Sequence, residues 1–307
     1  MKKVPCELLL QYFFNVSDYV DLRSTYIANS AVNIFLSYSA IMLNTLAIHA
    51  IRKTSSLPRT SKTLLASLAV SDVGVGLLGQ PLYTSLLVKK LQQNNPGCDT
   101  YIFFAFIISV FSLASFLGVV VLSVDRFLAI HLHLRYQQLV SHKRVVAVLI
   151  SIWLLSVLIA FTLFWVPFIT YSSIILCLGV IGLLLTTAAY IRIYLAIRRH
   201  KNQIRALQPQ HVAQTGEMEN FASLIKSTIN AFYVYLVFLA CYMPFFIRFI
   251  ACKIYGPSIA SKQFFFVSVT LVFLNSSLNP VIYCWRMRNI RLAIMDILRK
   301  MSSLRTQ

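Results

Sequence analysis

Acidic residues are few in this sequence. Nine Asp and Glu stand against 28 Lys and Arg in 307 residues, and charged residues of both signs make up only 12% of the chain. A water-soluble domain of this length needs far more polar surface, so composition excludes that class. Glycine and proline are also few, nine of each, which excludes fibrous and disordered low-complexity chains. The net charge of +19 does not point to nucleic acid. Its basic residues sit in short segments between apolar runs, as in the loops of a membrane protein, and form no patch on a folded polar face.

What is plentiful is apolar sequence, 58% of the chain. The long runs fall at 29–51, 63–88, 101–130, 144–167, 171–197, 225–251 and 262–284. Each exceeds the roughly 20 residues a helix needs to cross a bilayer core. Barrel strands would be about half as long and would alternate, and these runs do not. The expected fold is all-α and integral to the membrane, a seven-transmembrane helix bundle over 29–284. A tail, 1–28, precedes it, and a segment, 285–307, follows it. Residues 288–301 place Ile290, Ala293, Ile294, Ile297 and Leu298 on one helical face, which predicts an amphipathic helix on the membrane surface. The longest polar stretch, 198–224, reads as a loop with no second domain.

Basic residues set the expected orientation. With the N-terminus outside, 20 of the 28 fall on the inner side and eight outside: Lys2, Lys3, Arg23, Lys89, Lys90, Arg248, Lys253 and Lys262. The positive-inside rule therefore predicts an extracellular N-terminus and a cytoplasmic C-terminus. The N-V-S sequon at Asn15 is a candidate glycosylation site on that outer tail. Asn275-Ser-Ser lies mid-span, beyond the reach of a glycosyltransferase. The opening MKKVPCELLLQYFF is interrupted by Glu7 and Gln11, so it reads as an extracellular tail and not as a signal peptide.

Acids inside apolar spans cost about 2.5–3.5 kcal/mol each on insertion scales, and only Asp72 and Asp125 are placed so. Asp125 adjoins Arg126 at the end of the third span, as an ion pair at the headgroups or as part of a working device. Asp72, in LLASLAVSD, has no basic residue on its own span. It must be protonated, hydrogen-bonded or matched to a cation. At similar depth lie Asn44, Ser115, Asn275, Ser276 and Asn279. These neutral oxygen donors suit a hard monovalent cation with waters, or equally a hydrogen-bonded core without an ion. Pro244 in FLACYMPFF and Pro280 in NSSLNPVIYCW each allow a kink and a hinge.

In order and spacing these features resemble the rhodopsin-like (class A) G-protein-coupled receptors, over roughly residues 29–301. The motifs are Asn44, LAVSD ending in Asp72, Asp125-Arg126-Phe127, Trp153, Tyr190, Phe238 to Pro244, and Asn279-Pro-Val-Ile-Tyr283. The resemblance implies a receptor, not an enzyme, in the cell membrane. Its partners would be a heterotrimeric G protein, an extracellular small molecule and membrane lipids, with no nucleic acid. It implies that Arg126 leaves Asp125 on activation and meets the G protein, that Tyr190 and Tyr283 support the open state, and that Tyr242, Pro244, Asn279 and Pro280 belong to the same switch. Leu134 falls where the family inserts an apolar side chain into the G protein. Asp72, Ser115, Asn275, Ser276 and Asn279 match the family's sodium pocket. No other cofactor is implied.

Departures carry information too. Tyr242 replaces the family's toggle tryptophan, Phe127 its tyrosine, and Gly182 stands where the fifth span usually has proline. Leu224 occupies the place of the acid that often faces Arg126, which predicts a loosely held resting state and raised basal signalling. Cys98 lies three residues before the family's disulfide position, which Tyr101 holds, and the second outer loop, 168–173, has no cysteine. Cys6, Cys98 and Cys252 could pair among themselves. The short loop and the missing proline resemble the melanocortin and cannabinoid branch, and LRYQQLV is similar to melanocortin and adenosine receptors.

By the same resemblance the ligand pocket would be lined by Tyr83, Phe104, Ile108, Phe111, Phe245, Phe246, Phe249, Phe265 and Val269. Ile108 stands where amine receptors keep an acid, Phe273 where opsins keep lysine, and Phe249 where adenosine receptors keep asparagine. Leu82, Tyr101 and Ala105 replace melanocortin receptors' acids. An aromatic cavity with Arg248, Lys253 and Lys262 near its rim is expected to take a lipophilic or weakly acidic small molecule. A chemosensory receptor of the same fold is the alternative. A transporter or channel would want paired charges along a path or repeated halves, and neither is seen.

Overall fold

The computed structural model describes residues 19–54, 57–94, 96–132, 135–207, 215–256 and 258–305. Asn15, Leu134 and Cys6 lie outside the described residues, as do the side chains of Cys252 and Lys253. The chain forms α1 (Tyr19–Lys53), α2 (Arg59–Leu91), α3 (Cys98–Leu132), α4 (His142–Phe164), α5 (Phe168–Leu207), α6 (Thr215–Tyr255), α7 (Ile259–Arg286) and α8 (Arg288–Arg305). Among the described residues seven helices, α1 to α7, are long and apolar enough to cross a membrane.

Every helix but α4 overruns its apolar run at both ends, because polar residues with good helix propensity continue the ladder past the hydrocarbon edge, while α4 stops at Phe164, short of the expected 167. Two expectations change as a result. Most of the polar stretch 198–224 is helical, since α5 continues to Leu207 and α6 begins at Thr215. The second outer loop is shorter than expected, only 165–167, because Phe168 already opens α5.

One irregularity was not foreseen. A π turn interrupts α2 at Val75–Gly79, where the Gln80 amide donates to the Val75 carbonyl. Pro81 follows directly. A proline ring would clash with the carbonyl one α-turn back, and a wider turn at that point relieves the conflict.

The layers follow from contact. α3 packs against α2, α4, α5 and α6, while α7 packs against α6, α1, α2 and α8. α2 and α7 are the most enclosed spans and α5 the most exposed. Close approach depends on glycine at two points. A Cβ on Gly74 would lie 2.1 Å from Phe111 Cε1, and one on Gly182 would lie 2.2 Å from Phe116 Cζ. The missing fifth-span proline thus leaves a notch that an α3 ring fills.

Asn44, fully buried, donates to the Ser276 carbonyl at 2.8 Å and ties α1 to α7. α8 lies against the bundle through Ile290, Ala293, Ile294 and Ile297. Leu298, expected on that face, is exposed together with Leu292 and Met295. This gives α8 a second apolar face, suited to lipid. Lys53 pairs with Asp296, joining the end of α1 to α8 and holding the Asp296 carboxyl below its usual range, first through the Lys53 hydrogen bond and then through Lys300.

Candidate functional site

The half of the bundle nearer Tyr19 encloses a cavity of about 170 Å³. Its wall is built at helical spacing. α3 contributes Tyr101, Phe104, Ala105, Ile108 and Ser112, α6 contributes Tyr242, Phe245, Phe246 and Phe249, and α7 contributes Phe265, Val269 and Phe273. Eight of the nine residues expected in the pocket line it: Tyr83, Phe104, Ile108, Phe245, Phe246, Phe249, Phe265 and Val269. Phe111 does not. It points between α2 and α4, with its ring 6.0 Å from that of Trp153 and wedged over Gly74.

The α5 wall, Tyr171, Ser172, Ile175 and Gly179, was not read from sequence. Its signal was present as Tyr171, Ile175 and Gly179 at i, i+4, i+8, with Ser172 beside them, on an otherwise lipid-facing helix. Polar groups in the cavity are mostly spoken for. Tyr171 donates to Ser109 at 2.5 Å, and the Tyr83 hydroxyl donates to the Phe266 carbonyl at 3.3 Å. What the cavity offers a ligand is therefore mainly ring face and hydrocarbon.

The rim differs from expectation. Arg248 and Lys262 are buried, and Arg248 lies over the Phe265 ring at 4.4 Å rather than opening into the cavity. Lys90 lies within electrostatic reach of Lys262. Cys98 is disulfide-bonded, while Cys177, Cys241 and Cys284 are free.

Beneath the cavity an aromatic column descends α6. Tyr242 stacks on Phe238 at 4.0 Å, and Phe238 meets Phe116 of α3 at 5.4 Å. The Tyr242 hydroxyl also bonds Ser112, so the toggle position bridges α6 to α3 by a polar contact as well as by packing.

At the same depth Asp72 is fully buried and accepts a hydrogen bond from Asn279 Nδ2 at 2.8 Å. Ser276 is a further hydrogen-bonding neighbour. Asp72 Oδ1, Ser115 Oγ, Asn275 Oδ1 and Asn279 Oδ1 are buried without a protein partner. Among the described residues no three His, Cys, Asp or Glu cluster as metal ligands. The donor set around Asp72 is all oxygen with a single carboxylate, chemistry that fits a hard cation of low charge and not a transition metal. Pro280 follows Asn279 inside α7, and Pro244 sits inside α6.

At the end of the bundle opposite the cavity Asp125 and Arg126 are both buried and paired to each other. Arg126 also donates to Ser61 of α2 and Ser227 of α6, each at 2.8 Å. Asp125 Oδ1 in turn accepts from the Tyr136 hydroxyl at 2.6 Å, on the helical turn Tyr136–Leu139. Burial, followed by the Asp125 charge, pushes the Tyr136 hydroxyl up to about 12, so it stays a donor at physiological pH. Leu224 makes no such link, and Ser227 on the same helix takes the guanidinium instead. Nearby, the Tyr190 hydroxyl accepts from Ser123 at 3.3 Å. The Tyr283 hydroxyl is buried without a partner and faces a small cavity shared with Arg126, Ser227 and Asn230.

Similarity to known proteins agrees with this geometry. The chain is 25% identical to a Gallus gallus adenosine receptor A2b over 91% of its own length and 89% of the relative's. It is 26% identical to the Homo sapiens adenosine receptor A2a, over 87% and 71% of the two chains. It is 27% identical to a Rattus norvegicus melanocortin receptor 3, over 86% and 83%. Residues 43–168 and 162–283 match the model of the 7 transmembrane receptor (rhodopsin family), and the chain belongs to that family, a multi-pass membrane receptor and not an enzyme.

Proposed function

We propose that the chain binds a small lipophilic or weakly acidic molecule from the extracellular side and activates a heterotrimeric G protein at its cytoplasmic face. The observation that carries this reading is the state of Arg126: a buried guanidinium held at once to Asp125, Ser61 and Ser227, on three helices. Such a node can be released in one step. When α6 swings about Pro244, Ser227 leaves, and the cytoplasmic ends of α3, α5 and α6 part to admit a partner.

The ligand class rests on the cavity. At about 170 Å³ it is below the roughly 300–1,000 Å³ of ordinary drug-sized pockets. Its aromatic wall favours a compact apolar ligand, and a weakly acidic group is compatible with the basic residues the sequence places beyond that wall. A ligand bound against Tyr242 and Phe246 presses on the column that leads to Phe238, which is how occupancy would bias α6. The adenosine and melanocortin relatives do not fix the ligand, since Phe249 and Ala105 stand where those families place polar contacts.

Asp72, Ser115, Asn275, Ser276 and Asn279 would hold a sodium ion, which supplies the positive charge that the lone carboxylate lacks. Bound there it would tie α2, α3 and α7 in the resting arrangement. A screen of lipophilic acids with second-messenger readout tests the assignment. Responses are expected to vanish in Val269→Trp, which fills the cavity, while ligand-free signalling persists. Retained ligand responses in that variant would place the binding site elsewhere.

A further inference from the structure

Outward of Asp72, the seam between α1, α2 and α7 carries a second polar cluster that neither the cavity nor the switch uses. Ser37 donates to the Gly76 carbonyl at 2.8 Å, which sets the antiparallel register of α1 on α2. One turn further out on each helix come Asn33 and Gln80, both fully buried. One turn beyond these come Asn29 and Ser30 on α1 and Thr84 on α2. From α7, Thr270 joins them: it donates to Asn29 Oδ1 at 2.6 Å and accepts from Asn33 Nδ2 at 2.8 Å.

These bonds do not exhaust the cluster. Asn33 Oδ1, Ser30 Oγ, Thr84 Oγ1 and both amide atoms of Gln80 are buried with no protein partner. A donor, Gln80 Nε2, and an acceptor, Asn33 Oδ1, stand on facing helices without meeting. A buried polar group left unpaired carries its full desolvation penalty, and a bridging molecule removes it. No charged side chain takes part, so the bridging molecule is neutral and both donates and accepts. Gln80 follows directly on the π turn of α2, the kind of irregularity that recurs at functional sites.

We infer that the α1–α2–α7 seam is a water-binding chamber, in which ordered waters bridge Gln80 to Asn33 and extend to Ser30 and Thr84. Buried waters commonly make about three hydrogen bonds, and the five open atoms supply that valence. The chamber is separate from the Asp72 cluster, about two turns deeper along α2. It does touch the cavity wall. The Tyr83 hydroxyl lies within electrostatic reach of Thr270, and Tyr83 lines the cavity. A ligand that displaces Tyr83 would therefore disturb the chamber. The inference does not depend on which ligand binds or on any G protein.

The test uses the full chain in lipid nanodiscs. A cryo-electron microscopy map fine enough to show ordered solvent is expected to hold density within hydrogen-bonding distance of both Gln80 and Asn33. The thermal midpoint of Gln80→Met is expected to fall by about 2–4 °C, since the variant strands the waters' remaining partners. The double variant with Asn33→Leu should then fall by less than the two singles combined. A dry seam makes the opposite prediction: an orphaned amide replaced by a thioether of similar shape stabilises the protein. Absence of solvent density, or a midpoint in Gln80→Met that does not fall, overturns the inference.

Discussion

At the scale of single residues, the node at the end of α3 turns on who holds Arg126. The guanidinium reaches α6 through Ser227, a neutral hydroxyl, at 2.8 Å. A hydrogen bond from a charged donor to a neutral acceptor contributes less than a bidentate ion pair would. Supplying the missing acid should tighten the node, so Leu224→Glu is expected to lower ligand-free second-messenger output several-fold. Output that does not fall would count against a loosely held resting state. Tyr136 acts from the other side by donating to Asp125 Oδ1. Tyr136→Phe removes one of the groups that fix the carboxylate and is expected to raise ligand-free output. The pH dependence follows from the sign of its shift. A phenol pushed up to about 12 contributes its bond fully below pH 10 and loses it only as pH rises through about 12, so output should show no Tyr136-dependent step between pH 6 and 9.

Asp125 and Arg126 were legible in the sequence because charges stand out in apolar runs. Ser61, Ser227 and Tyr136 were not, since serine and tyrosine are common on membrane helices and only the fold brings them to one guanidinium. Phe111 failed for a related reason. It shares a heptad stripe with Phe104, but which side of that stripe meets the cavity depends on the tilt of α3, and tilt is set by neighbouring helices.

At the scale of elements, number and placement of helices were fixed by run length and hydropathy, while their ends and irregularities were not. The continuous helix past 198 and the π turn before Pro81 both reflect backbone hydrogen-bond bookkeeping that apolar patterning does not record. Gly182 reads in sequence only as an absent proline. In the structure it is the notch for Phe116. A methyl group there meets a ring already packed against Phe238, 5.4 Å away between centroids. Overpacking of this kind costs about 1–3 kcal/mol. Gly182→Ala is therefore expected to lower the thermal midpoint of the purified protein, and an unchanged midpoint would mean that the α3–α5 contact is looser than described.

At the scale of the whole molecule, the polar groups form a descending series inside an apolar bundle. The Tyr242–Ser112 contact lies under the cavity, the Asp72 oxygens come next, and the Arg126 node closes the end opposite the cavity. Because Asp72, Ser115 and Asn275 sit on α2, α3 and α7, an ion among them would act on all three at once. Sodium chloride, compared with choline chloride at equal ionic strength, is expected to raise the thermal midpoint of the wild type and to leave Asp72→Asn unmoved. A sodium effect that survives in Asp72→Asn would remove the ion from this site.

The central claim is that the Arg126 node converts events in the outer cavity into activation of a G protein. Guanine-nucleotide exchange by a panel of purified heterotrimers, measured with the receptor in nanodiscs and a lipophilic agonist from the screen, tests it most directly. The account predicts faster exchange on at least one heterotrimer, further acceleration by agonist, and loss of both in Arg126→Ala at equal amounts of folded receptor. Exchange that is no faster on any heterotrimer, or that is fully retained in Arg126→Ala, would contradict it.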